Sequence, residues 1–175
     1  MKKFKKNKGI IFWITGLSGS GKTTIAKKIT PDIKKLFGPT IVISGDDLRK
    51  IFKLRGYSSS ERLKLGYKYS NLLNYFSKQK INVVFAVIGL FNKLQSYNKK
   101  TLKNYVEIYL KTNIKNLTKS SKKKHYRQNS KFVWGKDLRA EFPKNPDIVI
   151  KNDFNKSTNE ISKIIIKKIK KMDLK

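Results

Sequence analysis

The sequence contains no cysteine, which excludes disulfides and thiolate metal sites. It also lacks a long apolar run behind its basic N-terminus, because the apolar stretch at residues 10–14 is too short for a signal peptide or a membrane span. We therefore expect a cytoplasmic protein without a membrane partner. With 175 residues, the chain is long enough for a hydrophobic core and predicts a single domain over residues 1–175.

Acidic residues are scarce in this chain. There are 11 aspartates and glutamates against 42 lysines and arginines, which gives a formal net charge of +31. Such a surplus is typical of proteins that bind nucleic acid or anionic membranes. The lysines are spread along the whole chain, however, and asparagine and isoleucine are abundant too, which favours a composition bias of the genome combined with an anionic nucleotide substrate. In both cases the charge should attract polyanions, at rates that fall as salt rises.

One glycine-rich stretch organises the chain. Residues 16–23, Gly-Leu-Ser-Gly-Ser-Gly-Lys-Thr, fit the phosphate-binding P-loop pattern G-x-x-x-x-G-K-[ST]. The apolar run at 10–14 predicts a strand before the loop, and apolar residues near helical spacing over 23–37 predict a helix after it. Strand, loop and helix in this order are the context that the motif requires. A plain glycine turn would not explain the Lys-Thr pair after the last glycine.

The P-loop predicts a site for ATP and Mg²⁺. Its glycines allow several backbone N–H groups to point at one phosphate, and the helix N-terminus adds its dipole. Lys22 can reach the outer phosphates and is predicted to act in catalysis, while the Thr23 hydroxyl can bind Mg²⁺. The predicted ATP-binding residues are Gly16, Leu17, Ser18, Gly19, Ser20, Gly21, Lys22, Thr23 and Thr24.

The remaining apolar patterns predict an α/β protein. Four further strands are predicted at residues 40–44, 81–88, 105–110 and 147–150, with helical patterns between them and after Ser157. We expect a P-loop NTPase fold with a mostly parallel central sheet of about five strands flanked by helices. Residues 119–140 are mostly basic with little apolar periodicity, which favours a lid over the site; a basic surface loop is the alternative.

Two adjacent carboxylates follow the second predicted strand. Asp46 and Asp47 come just after residues 40–44, where the carboxyl end of a strand opens onto the ligand-binding edge of an α/β sheet. Either side chain could instead cap the helix that begins here. Both roles can hold at once, and we expect Asp47 to cap the helix and Asp46 to face the site.

The order of these motifs resembles that of the adenylyl-sulfate (APS) kinase family of P-loop kinases, over most of residues 10–152. Residues 12–24 resemble the family's first strand and P-loop nearly residue for residue. Residues 44–49 resemble its Asp-Gly-Asp-x-x-Arg motif, with serine in place of the first aspartate, and residues 57–62 resemble its Phe-Ser-x-x-Asp-Arg motif. Residues 145–149 resemble the end of its Glu-Asn-Pro-Asp-Ile-Val motif. Together and in this order the four motifs are specific.

The resemblance implies a reaction and a role for several residues. The family transfers the γ-phosphoryl group of ATP to the ribose 3′-hydroxyl of a nucleotide whose 5′-phosphate carries a second anionic group. Asp46 matches the family's catalytic-site aspartate, which orients or deprotonates this hydroxyl or holds Mg²⁺ through water. Arg49 and Arg62 match arginines that grip the acceptor, and Phe132 or Trp134 in the lid is a candidate to stack on a base. The family is commonly dimeric, which leaves a homodimer possible.

Several departures from the family pattern fall on residues that contact the acceptor. Leu65 stands in place of an acceptor-binding asparagine, residues 89–92 lack the arginine of the family's Ser-Pro-Tyr/Phe-Arg, and Ser120 and Ser121 replace an Arg-Asp pair in the lid. These changes favour a different acceptor. The chain resembles most the branch of the family that phosphorylates cytidine diphosphoramidate in bacterial capsule phosphoramidate synthesis. The alternatives are a true APS kinase and, more remotely, a basic P-loop ATPase that binds nucleic acid.

Overall fold

The computed structural model describes residues 8–119, 134–135, 137–172 and 174. Five parallel strands form one sheet in the order β2-β3-β1-β4-β5. The strands are β1 Ile11–Thr15, β2 Thr40–Ser44, β3 Asn82–Ala86, β4 Tyr105–Lys111 and β5 Ile148–Lys151. The predicted α/β architecture with a parallel sheet of five strands is confirmed.

Six helices accompany this sheet within the described residues. They are α1 Lys22–Phe37, α2 Gly45–Ile51, α3 Ser59–Lys78, α4 Asn92–Thr101, α5 Ile114–Lys119 and α6 Thr158–Lys170. Helices α1 and α6 cover one face of the sheet, and α2, α3 and α4 cover the other. None of the helices in the described part of the chain is long and apolar enough to cross a membrane.

The central position of β1 in the sheet explains why its sequence is apolar from Ile11 to Ile14. Phe12 and Ile14 point into the core beneath α1 and α6, whereas Ile11 and Trp13 point into the core beneath α3. A parallel strand covered on both faces needs no polar alternation. The P-loop therefore leaves the sheet from its most deeply buried strand, at the carboxyl edge where ligands bind in folds of this kind.

The capping roles predicted around the second strand are confirmed. Asp47 accepts a hydrogen bond from the Ser44 backbone N–H at 2.9 Å, and the Ser44 hydroxyl accepts one from the Asp47 N–H at 3.1 Å, which forms a capping box. Ser58 and Glu61 form the same box at the start of α3. Because Asp47 is engaged in the cap, Asp46 remains as the carboxylate that faces the cavity.

Two predicted boundaries differ from the structure. The strand predicted over residues 81–88 ends at Ala86, although the Val87 N–H still donates to the Ile14 carbonyl of β1 at 3.0 Å. Gly89, three residues after the strand, has a φ of +51°. Val87 and Ile88 are half-buried, pack against the core on the α3 side and line the cavity described below, which accounts for their apolar character outside the strand. Residue 119, predicted as the start of the lid, is the last residue of α5.

A buried carboxyl group lies on the side of β4 that faces away from α1 and α6. Glu107 is fully buried, with Lys99 Nζ 3.6 Å from its Oε2 and the Tyr105 hydroxyl 3.4 Å from its Oε1. Its backbone N–H donates to Asp147 at 2.8 Å. Burial raises the pKa of Glu107 and the negative charge of Asp147 adds to this, although the Lys99 ammonium opposes both.

This raised pKa predicts a pH-dependent stability. The folded state keeps the Glu107 proton at pH values where the unfolded chain has lost it, so stability falls as pH rises toward the folded pKa. We expect Glu107→Gln to remove this loss, so that the Tm of the variant lies a few degrees above that of wild type at about pH 8 and exceeds it by less at about pH 4. Thermal unfolding followed by circular dichroism measures both, with the exposed Asp32→Asn as control. Parallel Tm curves for Glu107→Gln and wild type would contradict the argument.

Candidate active site

A cavity of about 1000 Å³ opens at the carboxyl edge of the sheet. Its first wall is the P-loop and the start of α1, its second is α2, the loop after it and α3, and its third is the segment between β5 and α6. Trp134 and the residues after β3 also contribute to the lining. This volume is at the upper end of the range that is typical of small-molecule binding sites.

The P-loop wall contains most of the residues predicted to bind ATP. Ser18, Gly19, Gly21, Lys22, Thr23 and Thr24 line the cavity. Gly16, Leu17 and Ser20 are absent from this lining; Leu17 packs in the core on the α3 side and Ser20 is fully buried. The Lys22 ammonium donates to the Leu17 carbonyl at 2.6 Å, so its charge lies within the curve of the loop. Gly21, with a φ of +87°, allows the chain to turn directly into α1.

Asn152 joins the P-loop to the third wall of the cavity. Its side-chain N–H donates to the Ser20 carbonyl at 2.9 Å, and its side-chain oxygen accepts from the Phe154 N–H at 3.3 Å. Its own backbone N–H donates to Lys111 in β4. Asn152 is buried and had not been predicted as a site residue. A residue from the far end of the chain is therefore bonded directly to the P-loop.

We expect Asn152→Ala to weaken ATP binding and stability together. The variant leaves the buried Ser20 carbonyl without this hydrogen bond, at a cost of about 1–3 kcal/mol. The measurements are the KM for ATP, predicted to rise about tenfold, and the Tm. Asn155→Ala is a matched control because Asn155 is exposed in the same segment. A normal KM for ATP in Asn152→Ala would show that the loop holds its shape without this contact.

Asp46 is the only carboxylate among the described residues that line the cavity. It lies in the first turn of α2, across the cavity from the P-loop. The described residues contain no cluster of three or more acidic, histidine or cysteine groups that could hold a metal by themselves. They do fit Mg²⁺, because this ion is usually held by one or two protein oxygens together with substrate phosphates. The Thr23 hydroxyl and the Asp46 carboxylate are suitable oxygens.

Two arginines on the second wall lie around one tyrosine ring. The guanidinium carbons of Arg49 and Arg62 lie 4.9 Å and 5.5 Å from the centre of the Tyr57 ring. Arg49 also donates to the Gly56 carbonyl at 3.0 Å, and Arg62 donates to the Tyr57 carbonyl at 2.8 Å. Burial lowers the pKa of Arg62, and the nearby charge of Arg49 lowers it further. Two cations held this close form a strong site for an anion.

The predicted lid is only partly described by the structure. Of residues 119–140, residues 120–133 and 136 lie outside the described residues, and with them Phe132, Ser120 and Ser121. Trp134 lines the cavity, although its side chain is 2% exposed. Its ring packs edge-on against Phe91 with ring centres 4.7 Å apart, and the Arg62 guanidinium carbon lies 5.8 Å from its centre. Trp134 thus lies beside Arg62, while its role in base stacking stays a prediction.

The fold and the cavity define a class of protein. At the carboxyl edge of a parallel sheet, a P-loop shares one cavity with two arginines and with Asp46, the one carboxylate among the described lining residues. This arrangement is typical of a P-loop kinase. The chain belongs to the adenylylsulphate kinase family, whose model matches residues 8–151. The family predicted from the sequence motifs is therefore confirmed.

Individual relatives agree with this assignment. The cytidine diphosphoramidate kinase of Campylobacter jejuni is 33% identical over 168 residues, which span 94% of this chain and 98% of that relative. A probable adenylyl-sulfate kinase of Archaeoglobus fulgidus is 28% identical over 150 residues, which span 83% of this chain and 97% of the relative. Because these relatives are named kinases, the chain is a phosphotransferase, as predicted.

Solved structures confirm the fold. The APS kinase of Mycobacterium tuberculosis, solved in complex with AMPPNP and APS, superposes with a TM-score of 0.81 at 22% identity. The match covers 93% of this chain and 98% of that one. A gluconokinase from Sinorhizobium meliloti superposes with a TM-score of 0.64 at 15% identity. The same P-loop kinase fold thus serves proteins with differently named substrates.

Proposed function

We propose that the protein is an ATP- and Mg²⁺-dependent kinase that phosphorylates the ribose 3′-hydroxyl of a nucleotide with a modified 5′-phosphate. The observation that carries the proposal is the shared cavity, which is lined by Lys22 and Thr23 on one side and by Asp46, Arg49 and Arg62 on the other. A triphosphate on the P-loop and an anionic acceptor on the arginines would meet in this space. The transfer then becomes a reaction between two positioned groups.

The residues on the two sides of the cavity supply the chemistry of this transfer. The P-loop N–H groups and the Lys22 ammonium stabilise the negative charge of the phosphoryl group as it moves. Asp46 orients the acceptor hydroxyl toward the γ-phosphorus, and its carboxylate can take the hydroxyl proton as the new P–O bond forms. Mg²⁺, when bound, neutralises part of the triphosphate charge, and Thr23 and Asp46 would hold it.

Cytidine diphosphoramidate is the acceptor that we favour. The kinase of Campylobacter jejuni with that name is 33% identical to the chain, compared with 28% for the Archaeoglobus fulgidus protein named as a probable adenylyl-sulfate kinase. The α3 wall of the cavity also presents the apolar Leu65, which departs from the APS kinase pattern. Adenylyl sulfate is the second candidate, because the family description supports it.

A side-by-side assay separates the two acceptors. The purified protein is supplied with ATP, Mg²⁺ and either cytidine diphosphoramidate or adenylyl sulfate, and ADP release and the 3′-phosphorylated product are measured. We expect a kcat/KM at least about tenfold higher for the cytidine nucleotide, which corresponds to about 1.4 kcal/mol. A preference for adenylyl sulfate would overturn our choice of acceptor and leave the 3′-kinase assignment intact. ATP hydrolysis that responds only to added RNA or DNA would support the nucleic-acid alternative.

A further inference from the structure

Tyr69 is a buried residue on the second wall of the cavity, which is formed by α2, the loop after it and α3. Its side chain is 5% exposed, packs edge-on against Phe85 with ring centres 5.8 Å apart and lines the cavity. Leu65 lies one turn earlier on the same face of α3, and Gly66 follows it; both also line the cavity, and neither carries a polar side-chain atom. Of these three residues of α3, Tyr69 alone has a polar side-chain atom.

The Tyr69 hydroxyl has no hydrogen-bond partner among the described residues. Two other buried hydroxyls on α3 are satisfied within the protein: Ser70 bonds to Gly66 and Asn98, and Ser77 donates to the Gly9 carbonyl. A buried hydroxyl that is left unsatisfied costs about 1–3 kcal/mol. The contrast within one helix points to a ligand as the missing partner.

The surroundings of Tyr69 indicate the chemistry of that partner. Its ring lies against Gly45, next to Asp46, and the charges of Asp46 and Arg49 both act on its hydroxyl. Burial, the largest effect, raises the pKa of Tyr69, so the phenol stays protonated and able to donate. A protonated phenol close to an arginine is a suitable donor to an anionic oxygen.

We infer that the Tyr69 hydroxyl donates a hydrogen bond to the modified 5′-phosphate group of the acceptor, beside Arg49. Tyr69 is in this view an acceptor-specificity residue, which selects nucleotides that carry a second group beyond the 5′-phosphate. The inference rests on the proposed function, since it assigns a residue to the acceptor of that reaction. It adds a neutral donor to the two positive charges that already line this wall.

Removal of this single oxygen tests the inference. In Tyr69→Phe the kcat/KM for cytidine diphosphoramidate should fall about ten- to a hundredfold, mainly through KM, because one hydrogen bond to a charged group is lost. The KM for ATP should not change, and the Tm of the ligand-free protein should stay equal or rise, because an unsatisfied buried group has been removed. CMP, which lacks the second group, should be used equally by the variant and the wild type. Tyr75→Phe is the matched control, because Tyr75 is exposed on the same helix.

The possible outcomes distinguish a failure of this inference from a failure of the proposed function. An unchanged kcat/KM for cytidine diphosphoramidate in Tyr69→Phe would overturn the inference while the 3′-kinase assignment stands. A lower Tm together with equal losses for both acceptors would show a structural role and overturn it as well. If adenylyl sulfate proves to be the substrate, the same comparison is made with adenylyl sulfate against AMP. A wild-type protein that phosphorylates none of these nucleotides would overturn the proposed function itself.

Discussion

Replacing Asp46 by asparagine should reduce kcat by at least about a thousandfold and leave ATP binding near its wild-type strength. The variant keeps the size of the side chain and removes the only carboxylate among the described residues that line the cavity. An amide cannot take the proton of the acceptor hydroxyl, and it is a weaker acceptor for the hydrogen bond that orients it. Steady-state kinetics and the equilibrium binding of an ATP analogue measure the two quantities separately.

The neighbouring aspartate provides a matched control for this experiment. Asp47→Asn alters the capping box with Ser44 and should cost about 1 kcal/mol of stability. Its kcat should stay within a few fold of wild type, because Asp47 faces the helix N-terminus and does not line the cavity. Near-normal turnover in Asp46→Asn, or equal losses in the two variants, would show that the catalytic role had been assigned to the wrong group.

This pair of aspartates also shows which structural features could be predicted from the sequence alone. The capping role depends on residues three positions apart, and local patterns of this kind are visible in a sequence. The P-loop and the five strands are local patterns too, which is why their positions were predicted to within one or two residues at most boundaries. The strand at 81–88 was predicted too long because Val87 and Ile88 pack against the core and line the cavity, and a local pattern cannot distinguish such apolar residues from those of a strand.

The contacts that complete the site come from residues far apart in the sequence. Asn152 holds the P-loop at Ser20 across 132 positions, and no local pattern marks an asparagine after the last strand for that task. Its position at the carboxyl edge of the sheet was the one available signal. Tyr69 fitted the apolar face of a helix, and only packing shows that its hydroxyl is buried without a partner. Sequence patterns therefore predicted the candidate site, whereas tertiary packing added these further residues to it.

The second large effect is expected at Arg62. Its guanidinium is held by the Tyr57 carbonyl and by the rings of Tyr57 and Trp134, so it is already oriented before an anion binds. In Arg62→Ala the kcat/KM for the acceptor should fall about 10²- to 10³-fold, because a partly buried charge partner is lost, while the KM for ATP should change little. Initial rates with each substrate varied in turn give both values.

A conservative variant distinguishes orientation from charge at this position. Arg62→Lys restores the positive charge but neither the planar fork nor the stacking on Tyr57 and Trp134, so it should recover less than about a tenth of the lost kcat/KM. The control is Arg55→Ala, which removes an exposed arginine from the loop before α3 and should leave the acceptor kinetics unchanged at moderate salt. Full activity in Arg62→Lys would mean that the acceptor senses only the positive potential of this wall. The fixed geometry around Tyr57 would then serve to hold two like charges together, and acceptor selection would depend on other residues.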